Sequence, residues 1–206
     1  MNYRAVIFDI GGVIVGSPLH AIAAFERELE IPAGFVNRVV ADTAEAGAWS
    51  RLERGLLTME RFIPEFANDC RAAGREIPVG EMMRRIGEIT RPRPQMLAAI
   101  ARLRAEGLRV AALTNNWSSE EKREDVLRAL FDVFVESVAE GLQKPDPRIY
   151  AVVCARLEVE PAQAIFLDDI GRNLKTARGL GMATIKVDDP DQALRELEAL
   201  IGFEFD

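Results

Sequence analysis

Residues 5–12 read Ala5-Val6-Ile7-Phe8-Asp9-Ile10-Gly11-Gly12. Four apolar residues run into a carboxylate, and the carboxylate faces a glycine turn. Two later apolar runs end in the same manner. Val110-Ala111-Ala112-Leu113 stops at Thr114-Asn115, and Ala164-Ile165-Phe166-Leu167 stops at Asp168-Asp169. Runs of this length without polar alternation suit strands buried on both faces of a parallel sheet. Ligands of such sheets bind in the crevice outside the carboxyl ends of the strands. Three strand ends bearing Asp, Thr-Asn and Asp-Asp therefore predict one polar crevice.

The segments between these strands set the organisation. From about residue 17 to 90 the periodicity is helical, with no convincing strand. Ser17-Pro18 reads as an N-cap followed by proline at the first helical position, with Ile22, Phe25 and Leu29 on one face. A second helix is expected after Pro32 with Phe35, Val36, Val39 and Val40, and a third capped by Thr58 with Met59, Phe62, Ile63 and Phe66. Pro64 in that third run predicts a kink or a later start. Pro78 opens a fourth, with Met82, Met83, Ile86 and Ile89. Arg91-Pro92-Arg93-Pro94 then reads as a stiff connector. Beyond it, helices near 95–106, 119–130, 147–157 and up to Leu180 alternate with strands at 110–114, 133–135, 164–168 and 183–187, and Asp189-Pro190 caps a last helix. This alternation implies right-handed crossovers and a parallel sheet covered on both faces. The expected architecture is α/β: a Rossmann-like core of residues 1–15 and 93–206, with a helical-bundle cap of residues 16–92 inserted after the first strand.

Composition narrows the function. The 206 residues carry a formal charge of -7, which argues against a nucleic-acid partner because phosphate backbones need clustered Lys and Arg. No apolar run approaches the ~20 residues of a membrane helix, and the N-terminus lacks a signal-peptide layout. Cys70 and Cys154 are far apart and read as free buried thiols of a reducing, cytoplasmic setting. The single histidine, His20, leaves little room for His-based catalysis. A small metabolite is the expected partner, and the chain is expected to be a monomer or homodimer.

The strand-end residues carry specific chemistry. A carboxylate such as Asp9 can attack phosphorus and form an aspartyl phosphate, and Gly11 and Gly12 let backbone N–H groups approach an anion. Taken alone, Asp9 reads first as the start of a turn. Thr114 and Asn115 can donate to phosphoryl oxygens. Lys144 precedes a proline-opened helix, where it can neutralise phosphate or merely sit at the surface. Asp168 and Asp169 would repel each other without a cation, and Mg2+ takes one or two carboxylates plus phosphate oxygens.

Four segments occur in order: Phe8-Asp9-Ile10-Gly11-Gly12-Val13, Leu113-Thr114-Asn115-Asn116, Lys144-Pro145-Asp146-Pro147, and Phe166-Leu167-Asp168-Asp169-Ile170-Gly171-Arg172-Asn173. Together they resemble the four motifs of the haloacid dehalogenase-like (HAD) hydrolase superfamily, and the insert at 17–90 resembles its cap. The resemblance covers essentially the whole chain. At a finer level the chain is similar to the N-terminal phosphatase domain of soluble epoxide hydrolases and to the dehalogenase-like domain fused to some acyl-CoA dehydrogenases. The resemblance implies Asp9 as nucleophile and Mg2+ ligand, the Gly11 carbonyl and Asp169 as further ligands, and Asp168 as the residue orienting Lys144 or a metal-bound water. It implies phosphate binding by Thr114, Asn115 and Gly12, charge balance by Lys144, and Asn173 in the same pocket. Between cap helices, Trp49 can offer the substrate a flat apolar face and Arg51 a cation; either can equally be cap core and solvated surface. Trp117 is expected under the cap entrance, with hinges at Gly16-Ser17-Pro18 and Arg91-Pro92-Arg93-Pro94.

One position departs from the family pattern. Most phosphatases of the superfamily carry Asp two residues after the nucleophile as general acid and base, and here that residue is Gly11. Such a group typically contributes about 100- to 10,000-fold. A Mg2+-dependent phosphate-monoester hydrolase remains the leading expectation, since some capped members with Gly here are regarded as phosphatases. The alternatives are a weak or inactive phosphate-binding or regulatory module, and dehalogenation or C–P cleavage. The acidic pair argues against a dehalogenase, which needs no Mg2+. The absence of any lysine in residues 17–90 argues against a Schiff-base C–P hydrolase.

Overall fold

The computed structural model describes residues 3–88, 91–117 and 127–205. Strands β1 (Ala5–Phe8), β2 (Arg109–Thr114), β3 (Val133–Glu136), β4 (Ala164–Asp168) and β5 (Ala183–Lys186) pair in the order β3-β2-β1-β4-β5, every pair parallel. Their side chains divide by period two. Val6, Phe8, Val110, Ala112, Ile165 and Leu167 enter one buried cluster, and Ala5, Ile7, Ala111, Leu113, Ala164 and Phe166 enter another. Both faces are therefore covered, which is why the strands are apolar throughout. Full burial of a Val, Ile, Leu or Phe contributes about 1.5–3 kcal/mol, so the strand ends project from a well-packed base.

The strand order places the crevice. The chain steps from β1 to β2 and β3 on one side, then crosses to β4 and β5 on the other, so β1 lies at the topological switch point. Phe8 is level with Ala112 of β2 and Leu167 of β4. Asp9 thus emerges between the ends of those two strands, and its N–H donates to the Leu167 carbonyl at 2.9 Å.

Helices α1 (Pro18–Glu28), α2 (Phe35–Thr43), α3 (Ala48–Glu53), α4 (Met59–Ala72) and α5 (Val79–Glu88) surround a buried cluster of their own that includes Ile22, Phe25, Phe62, Phe66, Met82 and Ile86. Glu26 is buried among them, and its carboxylate accepts the backbone N–H groups of Gly34 at 2.7 Å and Val36 at 2.8 Å. It therefore caps α2 from a neighbouring helix. Among the described residues the further α-helices include α6 (Pro94–Ala105), α7 (Ser137–Glu140), α8 (Pro147–Leu157), α9 (Gly171–Gly179) and α10 (Pro190–Ile201). Among the described residues no helix is long and apolar enough to cross a membrane.

Several local expectations need correction. The segment around Trp49 and Arg51, placed between cap helices by the sequence, forms a short helix of its own, α3. Leu29 is 44% exposed, because α1 ends at Glu28 and Leu29 leaves the apolar face as the C-cap residue. Pro64 lies inside α4, which begins after the Thr58 cap, so the later start is not taken. Ser17 stands at the N-cap of α1 but makes no capping bond; its hydroxyl donates elsewhere, as shown below. The helix expected near 119–130 and Ile89 of the fourth cap helix lie largely outside the described residues. Cys70 and Cys154 are buried free thiols, and burial raises them to about 12 and about 11.

The two segments joining the helical insert to the sheet run side by side. Val15 forms an antiparallel bridge with Pro92, and the Arg93 N–H donates to the Ile14 carbonyl at 2.8 Å. The Arg93 guanidinium donates to the carbonyls of Gly12 at 2.7 Å and Val13 at 3.0 Å. The second connector thereby braces the turn that follows the Asp9 strand.

Candidate active site

Lys144 organises the strand ends. Its side chain is 1% exposed, and its ammonium lies 2.9 Å from Asp9 Oδ1 and 2.8 Å from Asp168 Oδ2. Burial opposes its charge, but the Asp9 and Asp168 carboxylates outweigh burial and hold its pKa above the ordinary value. The loop after β2 sets its backbone: Asn115 Oδ1 accepts the Lys144 N–H at 2.8 Å, and Asn115 Nδ2 donates to the Lys144 carbonyl at 3.0 Å. That loop is itself tied to β3 and α7, since Asn116 Nδ2 donates to Glu136 Oε1 at 2.6 Å and its N–H donates to Ser137 Oγ at 3.0 Å.

Asp168 is wholly buried and saturated with donors. It accepts the Ile170 N–H at 2.7 Å and the Asn173 amide at 3.0 and 3.1 Å, besides Lys144. Asn173 is held in turn by the Tyr150 hydroxyl, which donates to its carbonyl at 3.0 Å. Asp169 accepts the Ser17 hydroxyl at 3.0 Å. This bond is where the α1 cap hydroxyl goes, and it joins the helical insert to the fourth strand.

Asp9, Asp168 and Asp169 bring carboxylate oxygens within 4.8 Å of one another. Burial raises Asp9 to about 7; Lys144 opposes the shift, and the charges of Asp168 and Asp169 add to it. Asp169 is also raised, chiefly by burial, with Ser17 opposing and Asp168 adding. One ammonium among three carboxylates leaves the cluster short of positive charge.

Gly12 makes room for this cluster. Its φ is +79°, and a Cβ added there would lie 2.0 Å from Asp169 Oδ2. Gly12→Ala is expected to cost about 1–2 kcal/mol for the left-handed backbone alone, and more as Asp169 is displaced. The readout is the denaturation midpoint; an unchanged midpoint would show that the turn and Asp169 relax freely.

A cavity of ≈ 130 Å³ opens over these groups, lined among others by Asp9, Gly11, Asn115, Lys144, Asp169 and Asn173. Trp49, Glu53, Trp117 and Arg172 also line it. An outer cavity of ≈ 520 Å³ adjoins it, and the two share Val40, Trp49, Glu53 and Arg172.

Most of the residues singled out in the sequence meet here. Thr114, Gly12 and Asp168 are buried at the same strand ends without lining the cavity. Trp49 packs edge-on to Phe62, Phe66 and Trp117 and also lines the cavity, so it serves as both core and wall. Arg51 does not join them: it pairs with Glu65 at 2.6 Å, outside both cavities. It lies two residues from both Trp49 and Glu53, and residues two apart do not share a helical face. His20 is exposed and away from the crevice. Two charged lining residues escaped the sequence reading. Arg172 stands inside the quoted fourth segment. Glu53 is four residues after Trp49, hence on the same helical face, and that spacing was the available signal.

Comparison with known proteins agrees with this geometry. Residues 3–181 match the family described as haloacid dehalogenase-like hydrolase, and the chain belongs to that family. It is 44% identical over 98% of its length to acyl-CoA dehydrogenase family member 10 of Mus musculus, and 34% identical over 99% to bifunctional epoxide hydrolase 2 of Sus scrofa. It spans only 19% and 40% of those two proteins. A HAD family enzyme of Bacteroides thetaiotaomicron, solved in complex with magnesium and inorganic phosphate, superposes with a TM-score of 0.58 at 21% identity, over 90% of this chain and 94% of that one.

Proposed function

We propose that the chain is a Mg2+-dependent phosphate-monoester hydrolase of small phosphorylated metabolites, in which residues 16–92 cap a core of residues 1–15 and 93–206. The observation that carries the reading is Asp9. Its carboxylate stands at the switch point of the sheet, paired to a buried lysine, beside two further carboxylates and open to a cavity.

The residues fit a Mg2+ ion. The donor set is hard oxygen throughout, Gly12 leaves space that a Cβ would fill, and the carboxylates exceed the available positive charge. Asn173 Oδ1 is buried without a partner among the described residues, an acceptor open to a bound water. Asp9, Asp169 and the Gly11 carbonyl would hold the ion, with Asp168 behind them. When bound, Mg2+ supplies positive charge against the phosphoryl oxygens.

The chain's own groups do the rest. A carboxylate oxygen of Asp9 attacks phosphorus, the ester oxygen leaves, and water later cleaves the aspartyl phosphate. The backbone N–H groups of Gly11 and Asn115, both of which line the cavity, are offered to phosphoryl oxygens, with Thr114 behind them; the Asn115 side-chain amide is already given to Lys144 and Glu53, and the Gly12 N–H to the Gly16 carbonyl. Lys144 balances the charge on Asp9, and Trp49 and Trp117 limit the water that reaches the phosphorus. The bacterial relative bound to magnesium and phosphate, and the relationship to epoxide hydrolase 2, support this reading.

The test is p-nitrophenyl phosphate hydrolysis at enzyme concentrations that reveal a single turnover. Mg2+-dependent release is expected, and EDTA should abolish it. A silent enzyme overturns the reading. Calorimetry gives a second expectation. Mg2+ competes with the proton on Asp9, whose pKa is raised to about 7, so affinity should weaken by up to about tenfold per pH unit below that value.

A further inference from the structure

We infer that Glu53 is the general acid and base that Gly11 cannot be. This inference rests on the phosphatase reading above.

Phosphoryl transfer to Asp9 leaves an alkoxide unless a proton arrives, and Gly11 lines the cavity with no side chain to deliver one. Among the residues lining the inner cavity, Asp9, Asp169 and Glu53 carry carboxyl groups. Asp9 is committed to attack and Asp169 to the acidic cluster, so Glu53 is the one left for proton transfer.

Its position suits the task. Asn115 Nδ2 donates to Glu53 Oε2 at 3.2 Å, and the same amide bonds the Lys144 carbonyl. A single residue therefore links Glu53 to the lysine that holds Asp9. Glu53 also belongs to the walls of both cavities. A phosphate ester seated with its phosphorus at Asp9 and its organic part toward the outer cavity would bring its bridging oxygen past the wall that Val40, Trp49, Glu53 and Arg172 form between the two. That oxygen is the atom that needs the proton.

The side chain is also prepared for the role. Trp49 Nε1 donates to Oε1 at 3.0 Å, so each carboxylate oxygen accepts one bond and keeps a lone pair for a proton. Burial raises its pKa above the ordinary glutamate value, against the opposing Trp49 bond and the charges of Arg172 and Lys144. The raised pKa favours the protonated acid over the carboxylate relative to a free glutamate, the direction a proton donor needs.

The steps balance. Asp9 bonds to phosphorus, the bond from phosphorus to the ester oxygen breaks, and its electron pair takes the Glu53 proton to give the free alcohol. Water then attacks the aspartyl phosphate, and the bond from phosphorus to Asp9 breaks with its electron pair returning to the carboxylate. The water proton passes to Glu53, which restores the starting state.

The experiment compares wild type and Glu53→Gln on a series of phosphate monoesters running from p-nitrophenyl to alkyl leaving groups. Gln keeps the shape and its one amide oxygen accepts from either Trp49 or Asn115, with its NH2 turned toward the other donor. Alkyl esters should slow by about 100- to 10,000-fold, and p-nitrophenyl phosphate, which needs no protonation, should still phosphorylate Asp9 at nearly the wild-type rate. Acid-quenched phosphoenzyme should rise in the variant, because the water step has lost its base. A loss of equal size across the series, with no rise in phosphoenzyme, overturns the assignment and makes Glu53 a substrate-binding or structural group. A wild-type enzyme silent on p-nitrophenyl phosphate is a different failure, that of the phosphatase reading itself.

Discussion

Asp9→Asn should reduce phosphatase turnover by on the order of 10^4- to 10^6-fold, as removal of a catalytic nucleophile does elsewhere, while the protein stays folded. The first half follows from position. Among the described residues no other carboxylate both pairs with Lys144 and lines the cavity, so no described neighbour is placed to take over the attack. The second half follows from charge. The amide oxygen of Asn can still accept the Ile10 N–H, now 2.7 Å from Asp9 Oδ1, and the Lys144 ammonium. The substitution also removes a buried negative charge. Asp9 has its folded pKa raised from 3.8 to about 7 by burial, and by Asp168 and Asp169 against Lys144. The folded state therefore binds a proton that the unfolded state releases. Stability associated with Asp9 is present below about pH 4 and is lost as pH rises through about 7. In EDTA, wild type should lose stability across that window relative to the Asn variant, as thermal midpoints at pH 5 and pH 8 would show. Residual turnover within about tenfold of wild type would move the nucleophile away from Asp9. A variant less stable than wild type at pH 8 would refute the charge argument alone.

The reasons some of this was legible in the sequence and some was not are physical. Strand ends were legible because an apolar run that stops at a carboxylate marks the depth at which burial stops. Helix starts at Asp146 and Asp189 were legible because the caps are local: their carboxylates accept the N–H groups of Arg148 at 2.9 Å and Gln192 at 2.8 Å. The failures are residues whose partner is remote. Ser17 has the cap residue's chemistry, yet its hydroxyl bonds Asp169, 152 positions away. Helix α3 is six residues long and starts at Gly47 with no side-chain cap bond, so nothing local announces it. Glu53 gains its meaning from Asn115, 62 positions away, and Arg51 loses its proposed role to Glu65 across a helix pair. The helical insert had to be folded before its contribution to the cavity could be read.

Lys144→Met should lower stability by about 3–5 kcal/mol, the usual consequence of removing one partner from a buried ionic cluster. Methionine approximates the length and volume of the lysine side chain, so the main loss is the charge, including the ammonium that lies 5.5 Å from the Phe166 ring centroid. Asp9 and Asp168 would face each other without the ammonium that now bonds both, at 2.9 and 2.8 Å. Asp168 keeps its Ile170 and Asn173 donors, whereas Asp9 keeps only the Ile10 N–H among the bonds described. The strain therefore falls mainly on Asp9, and that asymmetry is testable. Adding Asp9→Asn to Lys144→Met should recover a large part of the loss, a coupling a double-mutant cycle measures directly. Adding Mg2+ should recover another part, because a divalent cation can stand against the same carboxylates. Lys144→Arg should not rescue, since a planar fork differs in shape and hydrogen-bond geometry from a compact ammonium, and Lys144 is 1% exposed with no spare room. At about 2–4 °C per kcal/mol for a chain of this size, the Met variant should melt about 6–20 °C lower. A shift under 2 °C, or a double variant no better than the single one, would mean that Lys144 is not what holds the strand-end carboxylates together.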